Sequence, residues 1–114
     1  MSNVYPFSRT TEVYAFAATS SDGTPVQIEL PYVANANVSS YLVQNLGAVD
    51  VWVRLGRSSD DALIVIPSVG TPGNATLLPA LASMTFGGAP EAWFNAQTVS
   101  GTADLLVCGG EGRI

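Results

Sequence analysis

The chain has 114 residues, enough for one domain. Only 11% are charged, against roughly 25% in an average soluble protein; the four basic residues are all Arg (Arg9, Arg54, Arg57, Arg113), Lys and His are absent, and nine acidic residues leave a net charge of −5. That balance argues against a duplex nucleic-acid binder, which needs many cations to displace counterions, and the lack of His excludes Cys/His zinc sites and Ser-His-Asp or Cys-His catalysis within the chain.

No stretch repeats apolar residues at i, i+3, i+4 and i+7 for three turns. Short runs of β-branched and aromatic residues recur between turn residues instead, which predicts an all-β fold. Residues 1–10 read as an N-terminal arm, with Tyr5 and Phe7 placed to lie across a neighbour or across the chain's own sheet. The first strand is expected over 12–19, where Val13, Ala15 and Ala17 alternate with Tyr14, Phe16 and Ala18. A Ser-Ser-Asp-Gly turn at 20–23 leads to a second strand over 24–30, ended by Pro31.

The third strand is expected over 40–46. Gly47-Ala48 then turns the chain tightly, so the spacing predicts a hairpin with the fourth strand over 49–55. In that fourth strand Val49, Val51, Val53 and Leu55 fall on one face, assigned to the core, and Asp50, Trp52 and Arg54 on the other. A polar loop over 56–61 leads to a fifth strand over 62–66, stopped by Pro67. Residues 68–74 are loop, and a sixth strand lies within 75–86, interrupted at Pro79. A seventh covers 91–97, and Ser100-Gly101 turns into an eighth over 102–108. The expectation is therefore an antiparallel two-sheet sandwich of about eight strands over 11–108, with jelly-roll wiring as one arrangement that fits, and a C-terminal tail over 109–114.

Trp52 sits on a nominally solvated face and needs cover, from a loop, from the arm, or from another subunit. Trp93 and Phe94 are adjacent, so one of them is core and the other raises the same question. Tyr5, Phe7, Asp50, Trp52, Arg54 and Trp93 form the candidate interface. Surface charge is too sparse for an ordinary free monomer, which fits a protein covered by neighbours over much of its area.

Other groupings carry less chemistry. Asp60-Asp61 beside Arg57 lacks the spacing of a calcium loop and reads as solvated. Glu12 and Glu29 are a glycosidase-like pair only if their strands bring them close. The Gly-rich run 109–112 lacks the Lys and Ser/Thr of a phosphate loop. Cys108 reads as a small buried hydrophobe near a strand end. The N-terminus has no basic segment followed by an apolar one, and no apolar run approaches the roughly 20 residues of a spanning helix. The expectation is a protein made in a reducing cytoplasm, with no membrane partner, no cofactor, no metal and no enzymatic activity.

Four pieces carry a family resemblance. Asn45-Leu46-Gly47 precedes an alternating strand, Val49-Asp50-Val51-Trp52-Val53-Arg54-Leu55-Gly56. Then follow Ala92-Trp93-Phe94-Asn95-Ala96, Gly101-Thr102-Ala103-Asp104-Leu105-Leu106-Val107, and Gly109-Gly110-Glu111-Gly112. In order and spacing, from about residue 40 onward, the chain resembles a group of small tailed-phage virion proteins. Trp52 departs from that group's pattern, where a smaller aromatic or aliphatic residue is expected, and the first third matches only in style.

The resemblance implies a β-sandwich capsid decoration (cement) protein on the virion surface, bound to the major capsid protein, forming a homotrimer and carrying no catalytic or cofactor residues. Two alternatives stand beside it: a head-fibre, collar or tail component on the same module, and a carbohydrate-binding module using Trp52 or Trp93 as a stacking platform.

Overall fold

The computed structural model describes residues 8–9, 13–20, 25–28, 40–87 and 92–111. Among them there are nine strands and no helix: β1 (Ser8–Arg9), β2 (Tyr14–Ala18), β3 (Val26–Ile28), β4 (Ser40–Asn45), β5 (Val51–Gly56), β6 (Thr76–Leu78), β7 (Ser83–Gly87), β8 (Ala92–Thr98) and β9 (Ala103–Glu111). The fold is an all-β, antiparallel two-sheet sandwich. One sheet runs β1-β9-β4-β7, with β2 also on β9; the other runs β3-β8-β5-β6.

β1 and β2 pair with successive stretches of β9, so they act as one broken first strand. Counted that way, every connection except β5 to β6 passes from one sheet to the other. This interleaving is the jelly-roll order.

Period-two alternation explains the layering. In β5, Val51 and Val53 are fully buried, with Val49 and Leu55 packed against the same core. In β8, Phe94, Ala96 and Thr98 turn inward opposite them. The other sheet contributes Tyr41 and Val43 from β4, and Ala103, Leu105 and Val107 from β9. Phe16 of β2 meets Phe94 of β8 edge to face, with ring centroids 5.4 Å apart, which joins the two layers. Burying each large side chain of this kind contributes about 1.5–3 kcal/mol.

Several expectations change. The 40–55 hairpin is absent: β4 and β5 lie in different sheets, and residues 46–50 arch between them. The side chain of Asn45 holds that arch shut from inside, and turn composition alone does not separate an arch from a hairpin. Residues 62–66 are not a sheet strand, because side chains of Arg54, Asn74 and Asn95 engage the backbone around them. The expected sixth strand is two, β6 and β7, which sit in different sheets on either side of Pro79. β9 runs on through Glu111, three residues into the expected tail, and Ser8–Arg9 of the expected arm pairs with the chain's own β9. Tyr5, Phe7, Glu12 and Glu29 lie outside the described residues.

Candidate functional site

The register places three described connections at one end of the sandwich: 46–50, 79–82 and 99–102. Val51 at the start of β5 pairs with Leu78 and Thr98, the last residues of β6 and β8, while Asn45 at the end of β4 pairs with Leu105 near the start of β9. Buried Asn45 organises this end. Its Nδ2 donates to the carbonyls of Val49 at 2.9 Å, Pro79 at 3.2 Å and Leu78 at 3.3 Å, and its Oδ1 accepts the Gly47 N–H at 2.8 Å. Backbone bonds add to the tie, from Asn45 N–H to Ala82 O and from Leu46 N–H to Asp104 O. Asp50 accepts the Ala80 N–H at 3.0 Å, and the Thr98 hydroxyl donates to Gly101 O at 2.6 Å.

These fixed loops present large aliphatic side chains to solvent. Leu46 is 52% exposed, Leu81 76% and Val99 71%. Leu81 also holds a φ of 62°, a conformation a bulky L-residue adopts only under strain. The loop end is thus an apolar surface on a rigid frame, with Asp50 between the connections.

The candidate interface residues divide into separate places. Asp50 and Trp52 come together with Val49, Leu77, Val99 and Ser100 around an open groove of about 350 Å³. Trp52 is half-buried, and Leu77 lies directly across from it on β6. Arg54 is one rung further along and is occupied: its Nε donates to Asp61 O at 2.6 Å, one terminal nitrogen to Asn74 O at 3.1 Å, and the other to the Asp61 carboxylate at 3.1 Å. Trp93 lies on the same outer face opposite Gly56, four residues along the strand from Trp52, about 13 Å at strand rise. The two Trp residues therefore do not form one platform. Phe94 is the buried member of its pair with Trp93.

Asp61 is a structural anchor. Its carboxylate accepts the Arg57 N–H at 2.9 Å and pairs with Arg54, and these interactions hold its pKa below the usual 3.8. Burial raises the Cys108 thiol pKa, with Arg9 partly offsetting it, and pushes the Tyr41 hydroxyl up to about 12. Among the described residues, no three His, Cys, Asp or Glu side chains group as a metal site. No helix there is long and apolar enough to cross a membrane.

Sequence reasoning missed the apolar loop end. Val99 alone left a signal, as an aliphatic residue in a turn otherwise made of Ser and Gly. Leu46 and Leu81 look like ordinary strand-end residues until the arch and the positive φ are known. No family model, no curated protein and no solved structure matches the chain.

Proposed function

We propose that the protein is a structural assembly module, a decoration (cement) protein of a tailed-phage head, bound between major capsid subunits on the virion surface and acting as a homotrimer. The observation that carries this reading is the loop end. Three exposed aliphatic residues stand on tied loops, two of the loops held by Asn45 and the third by the Thr98 hydroxyl, and one of the residues is at a strained φ. A preorganised apolar surface loses little freedom on docking, so its burial goes largely into affinity. The charge-poor sequence and the motif order from residue 40 onward support the same reading. No catalytic step is part of it.

Copy number in purified particles tests the proposal: hundreds per head support decoration, and a dozen or fewer point to a head-fibre, collar or tail position. Leu81→Asp should abolish binding of purified protein to undecorated heads while leaving the fold intact; undiminished binding overturns the loop end as the docking surface.

The Trp52 groove favours a second reading, a saccharide site. An aromatic face, the Asp50 carboxylate and the Ser100 hydroxyl around one opening are groups that bind sugar rings and hydroxyls. A glycan array without hits removes it.

A further inference from the structure

The most β-prone run in the chain, Leu63-Ile64-Val65-Ile66, belongs to neither sheet. It forms one limb of a tongue that doubles back at Val69-Gly70. Ser68 and Thr71 bridge the limbs with two backbone bonds, at 3.0 and 2.9 Å, and Val69 at the tip is fully exposed. Arg54 holds Asp61 and Asn74, and Asn95 Nδ2 donates to Ala62 O at 3.0 Å, so the base of the tongue is fixed to the outer face of the β5–β8 pair. Gly73 packs so tightly on Val65 and Pro67 that a Cβ there has no room.

The hydrogen bonds of this limb alternate. Val65 donates to Asn74 Oδ1 at 2.8 Å and its carbonyl accepts the Asn74 N–H at 2.9 Å. The Leu63 carbonyl accepts Asn74 Nδ2, also at 2.9 Å. The side chains alternate too, with Leu63 and Val65 exposed and Ile64 and Ile66 half-buried. In an extended strand, successive residues aim their N–H and C=O at opposite edges. The groups of Ile64 and Ile66 therefore face away from Asn74, and among the described residues they have no hydrogen-bond partner. The tongue is paired along one edge and open along the other.

We propose that this open edge pairs antiparallel with the same edge of a second copy of the chain, about a two-fold axis at Val65. Ile64 of one copy then stands opposite the partner's Ile66, and Ile66 opposite the partner's Ile64. Each such pair exchanges both N–H···O bonds, so the four free donors and acceptors on each copy are all satisfied. Val65 meets the partner's Val65 without a hydrogen bond, as its own groups are already used.

The open edge is its own complement, since reversing it about Val65 brings each N–H onto a C=O, and charge does not oppose a second copy as the occupant. The chain carries −5 overall, yet no charged residue lies between Asp61 and Glu91, so this stretch meets its own copy without repulsion. A short strand contact covers less than the roughly 1,200 Å² of a stable interface. The pairing is therefore concentration-dependent, and it becomes effective where copies are held side by side. The inference does not rest on the decoration reading.

Amide hydrogen exchange of the full chain, read residue by residue at low and high protein concentration, tests it. The Ile64 and Ile66 amides should exchange freely in dilute protein and slow by at least about tenfold in concentrated protein. Val65→Lys and Val65→Glu should each abolish that slowing, and an equimolar mixture should restore it, because residue 65 meets itself across the axis. Exchange at these two amides that does not depend on wild-type concentration overturns the proposal without needing any variant. Slowing that survives in Val65→Lys alone, or fails to return in the mixture of folded variants, overturns it as well.

Discussion

The side-chain oxygen of Asn45 accepts the amide of Gly47, two residues ahead, and that bond closes the arch carrying the chain from one sheet to the other. The Asn45 amide nitrogen supports three further carbonyls on two connections. Asn45→Ala should cost about 2–3 kcal/mol, because it leaves buried carbonyls without donors. Gly47→Ala should cost about 1–3 kcal/mol through overpacking, since a new Cβ would lie 2.5 Å from the Ala103 Cβ. Urea unfolding of both variants measures this, and a loss below about 0.5 kcal/mol in either means the arch is held some other way.

Leu81 offers a test that separates stability from binding. Its φ of 62° suits glycine and strains leucine, while its side chain is largely in solvent. Leu81→Gly should leave stability unchanged or raise it by up to about 1 kcal/mol, as relief of strain offsets the added freedom of the unfolded chain. The same variant should lose binding to its partner. A marked fall in melting temperature would show that the side chain packs rather than docks.

The tongue should respond to acid. Asp61 has a depressed pKa, first through the Arg57 N–H bond and then through Arg54. A group depressed in the folded state contributes its stabilisation fully above its unfolded value of 3.8 and loses it as pH falls through the lower folded value. Proteolytic nicking within 62–75 should therefore rise as pH drops below about 4. Asp61→Asn should nick equally across that range; a wild-type profile flat to acid argues against the carboxylate as the clasp.

Cys108 should behave as an inert thiol. It is buried on β9 opposite Leu42, and burial raises its pKa. A thiol-disulfide reagent near pH ~7.5 should label the native protein at least about tenfold more slowly than the urea-unfolded chain. Equal rates would mean that β9 separates readily from its neighbours.

The sequence carried the all-β class because alternation is local: Val51, Val53 and Leu55 against Trp52 and Arg54 can be read from five neighbouring residues. The inward turn of Phe94 beside the outward turn of Trp93 follows from the same rule. The hairpin expected over 40–55 failed because Asn45 acts on Leu78 and Pro79, more than thirty residues away. The strand expected over 62–66 joins no sheet. Its partner proved to be one asparagine, Asn74, supplied from the far limb of the tongue. The outer-face residues grouped as one interface were divided by Arg54, whose donors go to a loop that composition describes only as polar.

The strand order also bears on how the fold closes. β8 and β9 occupy interior positions in their respective sheets, each with neighbours on both sides. They are also the last two of the described strands in chain order. Without them, the two sheets are represented only by β3, β5 and β6 on one side and by β1, β2, β4 and β7 on the other. Among those, only β5–β6 and β4–β7 have one another to pair with. Neither sheet can therefore close before β8 and β9 are in place, and until then the inward-facing residues of β4 and β5 lack their cover.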